Sequence, residues 1–266
     1  MIPYANMAPY EALGPPEGCY FVQSTPRNSI AALQNRAVWA AAVPVGGMAA
    51  LTDTVAPIGR YGIAAHRQVM SVMLFSDRPF DDFSVPQTVQ LTDESATSVR
   101  LLYLLLGQTH GYDRIPQTAR PGETANGTLV IGDTALKWYH EWETHQQVKG
   151  YRYVTDLATQ WDHLYGLPFV FARWVVRSDA PRQVTQALHQ WLVDFQKKEF
   201  DLIQRCAANT AHRLDLPVDF VHRYLKIIRR CLTPEDEAGQ QRFIEKWTQF
   251  ERPERFDWFD AVAVRT

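Results

Sequence analysis

The sequence predicts an α/β protein of two lobes with a ligand cleft between them and a helical C-terminal part. Apolar, β-branched runs alternate with runs of helical spacing over the first two thirds of the chain. Two strongly apolar runs, residues 69–76 and 169–176, bracket a middle block; the break at Asp77-Arg78-Pro79 reads as the first crossing between lobes and the strand 169–176 as the second. Beyond them the pattern is helical. The expected division is residues 1–77 with 174–266 for the first lobe and the inserted block 78–173 for the second. Strands alternating with helices further imply parallel pairing.

Taken in order, residues 2–10 hold two prolines and a lone Asn6 between apolar neighbours, and read as a short strand entering a loop. Gly14-Pro15-Pro16-Glu17-Gly18 is a turn and residues 19–23 a strand. Ser24-Thr25-Pro26 opens a helix that runs to Arg36, with Pro26 near the first helical position. Residues 38–45 form an almost wholly apolar strand that ends at Pro44-Val45-Gly46-Gly47, where two glycines permit a sharp turn or close approach to a ligand. Residues 61–65 and 69–76 make a strand pair, in which Ser71 either bonds its own backbone or faces a cavity.

In the middle block, strands are expected at residues 88–91 and 129–131, with another near Ile115. Two stretches, residues 91–102 and 128–136, share one form: an apolar run stops at small polar residues and a helix-forming run follows. The free N–H groups of a helix start attract anions, so two such turns facing each other would make an anion-binding cleft, although ordinary helix caps look the same. The helices begin at Thr97 and Thr134, and residues 141–153 are poorly patterned. Residues 153–157 lead into a helix stopped by Gly166-Leu167-Pro168. In the last third, Asp179 is the expected cap of a helix with Pro181 just inside, running to about Asn209. Residues 218–231 form another helix, and Thr233-Pro234-Glu235-Asp236 caps a third.

The composition excludes several classes. In 266 residues, 46% hydrophobic and 21% charged, the net charge is −2, so no basic field suggests nucleic acid or an anionic membrane surface. No apolar run is long enough to span a bilayer. Cys19, Cys206 and Cys231 form no CxxC pair and suit a reducing compartment. The first residues show no basic or apolar leader pattern, which points to the cytoplasm. His140-Glu141-Trp142-Glu143-Thr144-His145 is one residue too long for HExxH, so its histidines fall on different helix faces. There is no GxGxxG, GxSxG or phosphate-loop pattern, and Asp81-Asp82 lacks the other ligands of a calcium loop.

Several segments, in order, resemble one family. They are Tyr4-Ala5-Asn6, residues 68–76 with Ser71, Ser95-Ala96-Thr97-Ser98 before a Leu-rich helix, Ile131-Gly132-Asp133-Thr134-Ala135-Leu136, and Asp156-Leu157-Ala158-Thr159-Gln160-Trp161 continuing through residues 166–174. The set is similar to chorismate dehydratase of the futalosine route to menaquinone, within the superfamily of the type II periplasmic-binding-protein fold. That resemblance implies a chorismate substrate, a dicarboxylate that loses water to give 3-[(1-carboxyvinyl)oxy]benzoate, with no metal or organic cofactor. It implies Asn6 and Ser71 as the catalytic residues. Ser95, Thr97, Ser98, Gly46, Gly47, Asp133 and Arg173 are expected at the substrate. No His or Glu falls on these motifs as a base, which leaves the substrate's own carboxylate for that part.

Two departures stand out. The family pattern implies a Pro-x-Ser-Ser turn where this chain has Pro44-Val45-Gly46-Gly47, and few residues precede Pro3. The alternatives are a small-carboxylate-binding protein of the same fold without turnover, or the sibling enzyme that forms dihydroxynaphthoate. Expected partners are limited to the small molecule, with a monomer or homodimer.

Overall fold

The computed structural model describes residues 4–83, 88–110, 117–118 and 124–250. The α-helices are α1 (Ala8–Leu13), α2 (Pro26–Gln34), α3 (Ala96–His110), α4 (Gly132–His145), α5 (Leu157–Tyr165), α6 (Arg182–Leu214), α7 (Val218–Ile227) and α8 (Pro234–Phe250). The strands are β1 (Ala40–Pro44), β2 (Val55–Ala65), β3 (Val72–Ser76), β4 (Thr88–Gln90), β5 (Gln117–Thr118), β6 (Gly127–Ile131), β7 (Tyr153–Asp156), β8 (Phe169–Arg177) and β9 (Arg229–Cys231). They form two sheets, ordered β1-β8-β2-β9 and β5-β4-β6-β3-β7.

The expected α/β class with two sheet units and C-terminal helices is present, but the pairing is not parallel throughout. Every pair in the first sheet is antiparallel, and in the second only β4–β5 and β4–β6 run parallel. Hydrophobic periodicity identifies strands and carries no direction of pairing. The crossings also lie upstream of both expected boundaries. β3 pairs with β6 and β7 in the second sheet, and β8 lies wholly in the first. The chain passes between sheets before residue 72 and again between β7 and β8.

Local readings hold where a cap and an apolar face agree. Thr25 Oγ1 accepts from Asn28 N–H at the start of α2, with Pro26 inside the first turn. Thr233 and Asp236 close a reciprocal cap on α8, each side chain accepting the other's N–H at 2.8 and 3.2 Å. Other readings give way to tertiary contacts. Residues 5–13 form a 3₁₀ turn (Ala5–Met7) and α1 rather than a strand. Helical geometry there sends Tyr10 into the core, stacked on Phe195 at 3.9 Å between ring centroids and edge-on to Trp174. Residues 19–23 form no strand, since β1 is an edge with no partner on that side among the described residues. Asp179 does not cap α6. Its carboxylate instead takes two hydrogen bonds from Arg177, at 2.9 and 2.6 Å, and Pro181 precedes the first helical residue.

The expected helix 218–231 ends at Ile227, because Ile228 is extended and β9 pairs with β2. α4 continues through the poorly patterned stretch to His145, where Gln146 takes a left-handed conformation. Ile115 lies outside the described residues. One buried apolar cluster includes side chains of both sheets, among them Ile63 and Ala172 of the first and Leu74 and Ile131 of the second. No described helix is long and apolar enough to cross a membrane.

Candidate active site

Between the two sheets lies a cavity of about 60 Å³. Pro44, Ile63, Phe171 and Ala172 face it from the first sheet, Ile131 comes from the second, Ser71 immediately precedes β3, and Ser95 and Ser98 stand at the start of α3. Tyr4 and Asn6 enter from the N-terminal turn. The cavity thus gathers Asn6, Ser71, Ser95 and Ser98, four candidates separated by as many as 92 positions in sequence.

Asn6 rides on the 3₁₀ turn Ala5–Met7, whose backbone is fixed from two directions. The N–H of Ala5 donates to Asp133 Oδ1 at 2.7 Å, and Arg230 Nε donates to the carbonyl of Asn6 at 3.0 Å. The side-chain oxygen of Asn6 is buried and finds no hydrogen-bond partner among the described residues. An amide held rigidly with its oxygen unmatched is a group that a ligand can satisfy. Ser71, buried at the second sheet, shares a hydrogen bond of 3.2 Å with the Tyr224 hydroxyl. Ser95 takes the cap position of α3: its Oγ accepts from Ser98 N–H at 3.2 Å and lies 3.0 Å from Ser98 Oγ. The two hydroxyls and the helix start together present donors to an anion.

The remaining candidates sit beside the cavity or away from it. Thr97 Oγ1 accepts from Gly46 N–H at 2.9 Å, a bond between the 3₁₀ segment after β1 and the start of α3. Gly46 and Gly47 are packing positions. A Cβ on Gly46 would meet Thr97 Cα at 2.9 Å, and one on Gly47 would meet the Ile30 side chain. Where the Pro-x-Ser-Ser pattern has serines, Gly46 therefore packs against the α3 start and Gly47 against Ile30 of α2. Gly46→Val should destabilise the protein by about 2 kcal/mol and hold the two units apart, because backbone cannot yield as a side-chain tip does. Thermal unfolding together with small-angle scattering checks both effects. Asp133 is occupied by Ala5 N–H and by Arg213 at 2.8 Å. Arg173 is not brought to the cavity. Its guanidinium donates to Gly59 O at 3.0 Å and reaches Glu237 and Gln240 on α8, and burial lowers its pKa.

Tyr4 and Phe171 are among the lining residues that are not sequence-derived candidates. Tyr4 donates its hydroxyl to Glu94 Oε2 at 2.9 Å, so it ties the N-terminal turn to the segment before α3. Burial and the nearby Glu94 carboxylate both push its pKa upward. Its ring lies over Gly132, where a Cβ would fall 2.8 Å from the ring and φ is +63°. The Tyr-Ala-Asn string was the available signal, but only Asn6 was taken from it. Phe171 has no polar signature and reads as ordinary strand core. Among the described residues no carboxylate or imidazole lines the cavity, and no cluster of His, Cys, Asp and Glu could hold a metal. A larger cavity of about 390 Å³, between β1 and residues 16–24, contains none of the candidates.

The two sheet units with a polar-edged cavity between them define the periplasmic-binding-protein class of fold. A Candida albicans protein described as having the generic form of that fold matches with TM-score 0.61, at 10% identity over 96% of this chain and 92% of its own. The periplasmic aliphatic sulphonate binding protein SsuA of Escherichia coli matches with TM-score 0.55, at 13% identity over 86% and 81%. Within that class the chain belongs to the menaquinone biosynthesis family, whose model matches residues 1–249. It is 30% identical to a chorismate dehydratase of Thermus thermophilus over 253 residues, 91% of this chain and 92% of that protein. A chorismate dehydratase of Campylobacter jejuni is 27% identical over 152 residues, 55% of this chain and 62% of that protein.

Proposed function

We propose that this protein is a chorismate dehydratase, a carbon–oxygen lyase that converts chorismate to 3-[(1-carboxyvinyl)oxy]benzoate and water. The observation that carries this reading is the buried, unmatched amide oxygen of Asn6 in one cavity with Ser71, Ser95 and Ser98. The relatives named above support the choice of substrate. In the reaction the ring carbon bearing the enolpyruvyl ether loses its proton, and the neighbouring carbon loses its hydroxyl. The resulting ring is aromatic, so the driving force lies in the substrate. The protein has to orient the molecule and steady the shifting negative charge.

In this reading Ser95, Ser98 and the α3 amides hold one carboxylate, and Asn6 and Ser71 address the departing hydroxyl or the enolpyruvyl arm. Among the described residues the cavity lining supplies no general base, and in this reading a carboxylate of chorismate itself takes the proton. The cavity is far below the roughly 300 Å³ at which ligand sites usually begin. Substrate entry therefore requires the Gly46–Thr97 and Tyr4–Glu94 links to part and re-form, a hinge closure of the kind this architecture permits.

Incubation of the purified protein with chorismate, followed by mass spectrometry and ultraviolet absorbance, tests the assignment. Loss of one water with growth of a benzoate chromophore is the expected result. A raised melting temperature without turnover would instead indicate a carboxylate-binding protein.

A further inference from the structure

Both residues assigned to catalysis are held from behind by one short unit, the α7–β9 hairpin. Tyr224 on α7 is fully buried, and its hydroxyl meets Ser71 Oγ at 3.2 Å across 153 positions of sequence. Arg230 on β9 is also fully buried, and its Nε donates to the backbone carbonyl of Asn6 across 224 positions. Of the rest of that guanidinium, Nη1 is anchored, while Nη2 is buried with no hydrogen-bond partner among the described residues. Nη1 reaches Glu199 Oε1 on α6 and the carbonyls of Leu225 and Ile228, each at 3.1 Å. Neither Tyr224 nor Arg230 lines the cavity. A buried arginine needs a charge partner, and Glu199 supplies one, so charge pairing alone does not require the bond to Asn6. Likewise, a buried tyrosine hydroxyl needs a single partner, and here that partner is the cavity serine.

We infer that Tyr224 and Arg230 are positioning residues, which set the rotamer of Ser71 and the orientation of the Asn6 turn for the same substrate. The inference rests on the dehydratase reading for its kinetic consequence only. The geometric part concerns the two contacts themselves. Asp133 takes the N–H of Ala5 from the other side, so the turn is clamped between the α4 start and β9. The C-terminal helical part thereby acts on both halves of the site at once, although neither Tyr224 nor Arg230 lines the cavity.

The test uses the full chain. Tyr224→Phe removes one oxygen and keeps the ring. It should lower kcat about tenfold, the worth of one hydrogen bond, with KM changed less than about twofold. In a Ser71→Ala background the same change should cost nothing further. Arg230→Lys keeps the charge opposite Glu199 but loses the fork. It should lower kcat to a similar degree and speed deuterium exchange at Ala5–Met7, while α6 and α7 exchange as in the parent. Equal losses from Tyr224→Phe in both backgrounds, or a general rise in exchange across the hairpin, would show a purely structural role and overturn the inference. If the parent chain does not turn over chorismate, the dehydratase reading falls by itself. Exchange at Ala5–Met7 in Arg230→Lys then decides the geometric part, and unchanged exchange there overturns it.

Discussion

Asn6→Ala should lower turnover of chorismate by about 10²–10³-fold while leaving the fold intact. The range is that for loss of one preorganised polar group at a developing charge. The structure separates the two effects unusually well. The backbone of the Asn6 turn is secured by Asp133 and Arg230, neither of which touches the Asn6 side chain. The side-chain oxygen has no hydrogen-bond partner among the described residues, so truncation strands no donor there. Alanine is also fully compatible with the turn. The melting temperature should therefore move little, and any loss should be in kcat. Steady-state kinetics and calorimetry on the same preparation check this, and full turnover by Asn6→Ala would remove Asn6 from the mechanism. Asn6→Asp should be as inactive, because a carboxylate there repels a dicarboxylate substrate.

The largest effect on stability should come from Asp156→Ala, at about 3 kcal/mol near neutral pH, from the orphaning of several buried donors. Asp156 ends β7 and caps α5, where Oδ1 accepts from Ala158 and Thr159 N–H. Its other oxygen accepts from Val69 and Met70 N–H, at 2.9 and 2.8 Å. One carboxylate thus joins the start of α5 to the chain as it crosses between sheets, immediately before Ser71. Met70 there has φ +59°, an unfavourable conformation for a side chain of its kind, and the two amide bonds hold it. Thr159 adds a hydrogen bond from its hydroxyl to Arg67 O on the same crossing.

Burial pushes the Asp156 carboxyl from its ordinary 3.8 up to about 6, against the four amides that pull it down. The folded protein therefore holds this proton more tightly than the unfolded chain does. The proton-linked part of its contribution to stability is fullest below about pH 4 and is lost as pH rises through its folded pKa, leaving above it the hydrogen bonds of the ionised carboxylate. The penalty of Asp156→Ala should accordingly be larger at pH 5 than at pH 8. Denaturant unfolding of both proteins at the two pH values measures the difference.

Much of this was legible in the chain itself. Caps such as Thr25 with Pro26 and Thr233 with Asp236 are local, since the bond that starts the helix lies within a few residues of the signal. The apolar runs of β1, β3, β6 and β8 announced buried strands for the same reason. The candidates Asn6, Ser71, Ser95 and Ser98 came from a family resemblance, and the fold sets them around one cavity. Arg173 shows the limit. A positive charge on a crossing strand looks available to an anion, yet the Arg173 guanidinium turns toward Gly59 and α8, and a shift of register between β2 and β8 at Phe171 lets both Phe171 and Ala172 face the cavity.

By itself, then, the sequence determined the α/β class, the two sheet-forming blocks, the helical C-terminal part and the families of residues worth suspecting. Only the tertiary structure decided strand direction, the true crossings before β3 and β8, and the helical form of residues 8–13. It also decided that Gly46 packs against Thr97 and that α7 and β9 stand behind the site. The physical reason is range. Capping, turn and periodicity signals act over a few residues, whereas Tyr224–Ser71 and Arg230–Asn6 join groups 153 and 224 positions apart. Such contacts exist only after both sheets have formed, and no local pattern of residues encodes which buried hydroxyl or guanidinium will meet which partner.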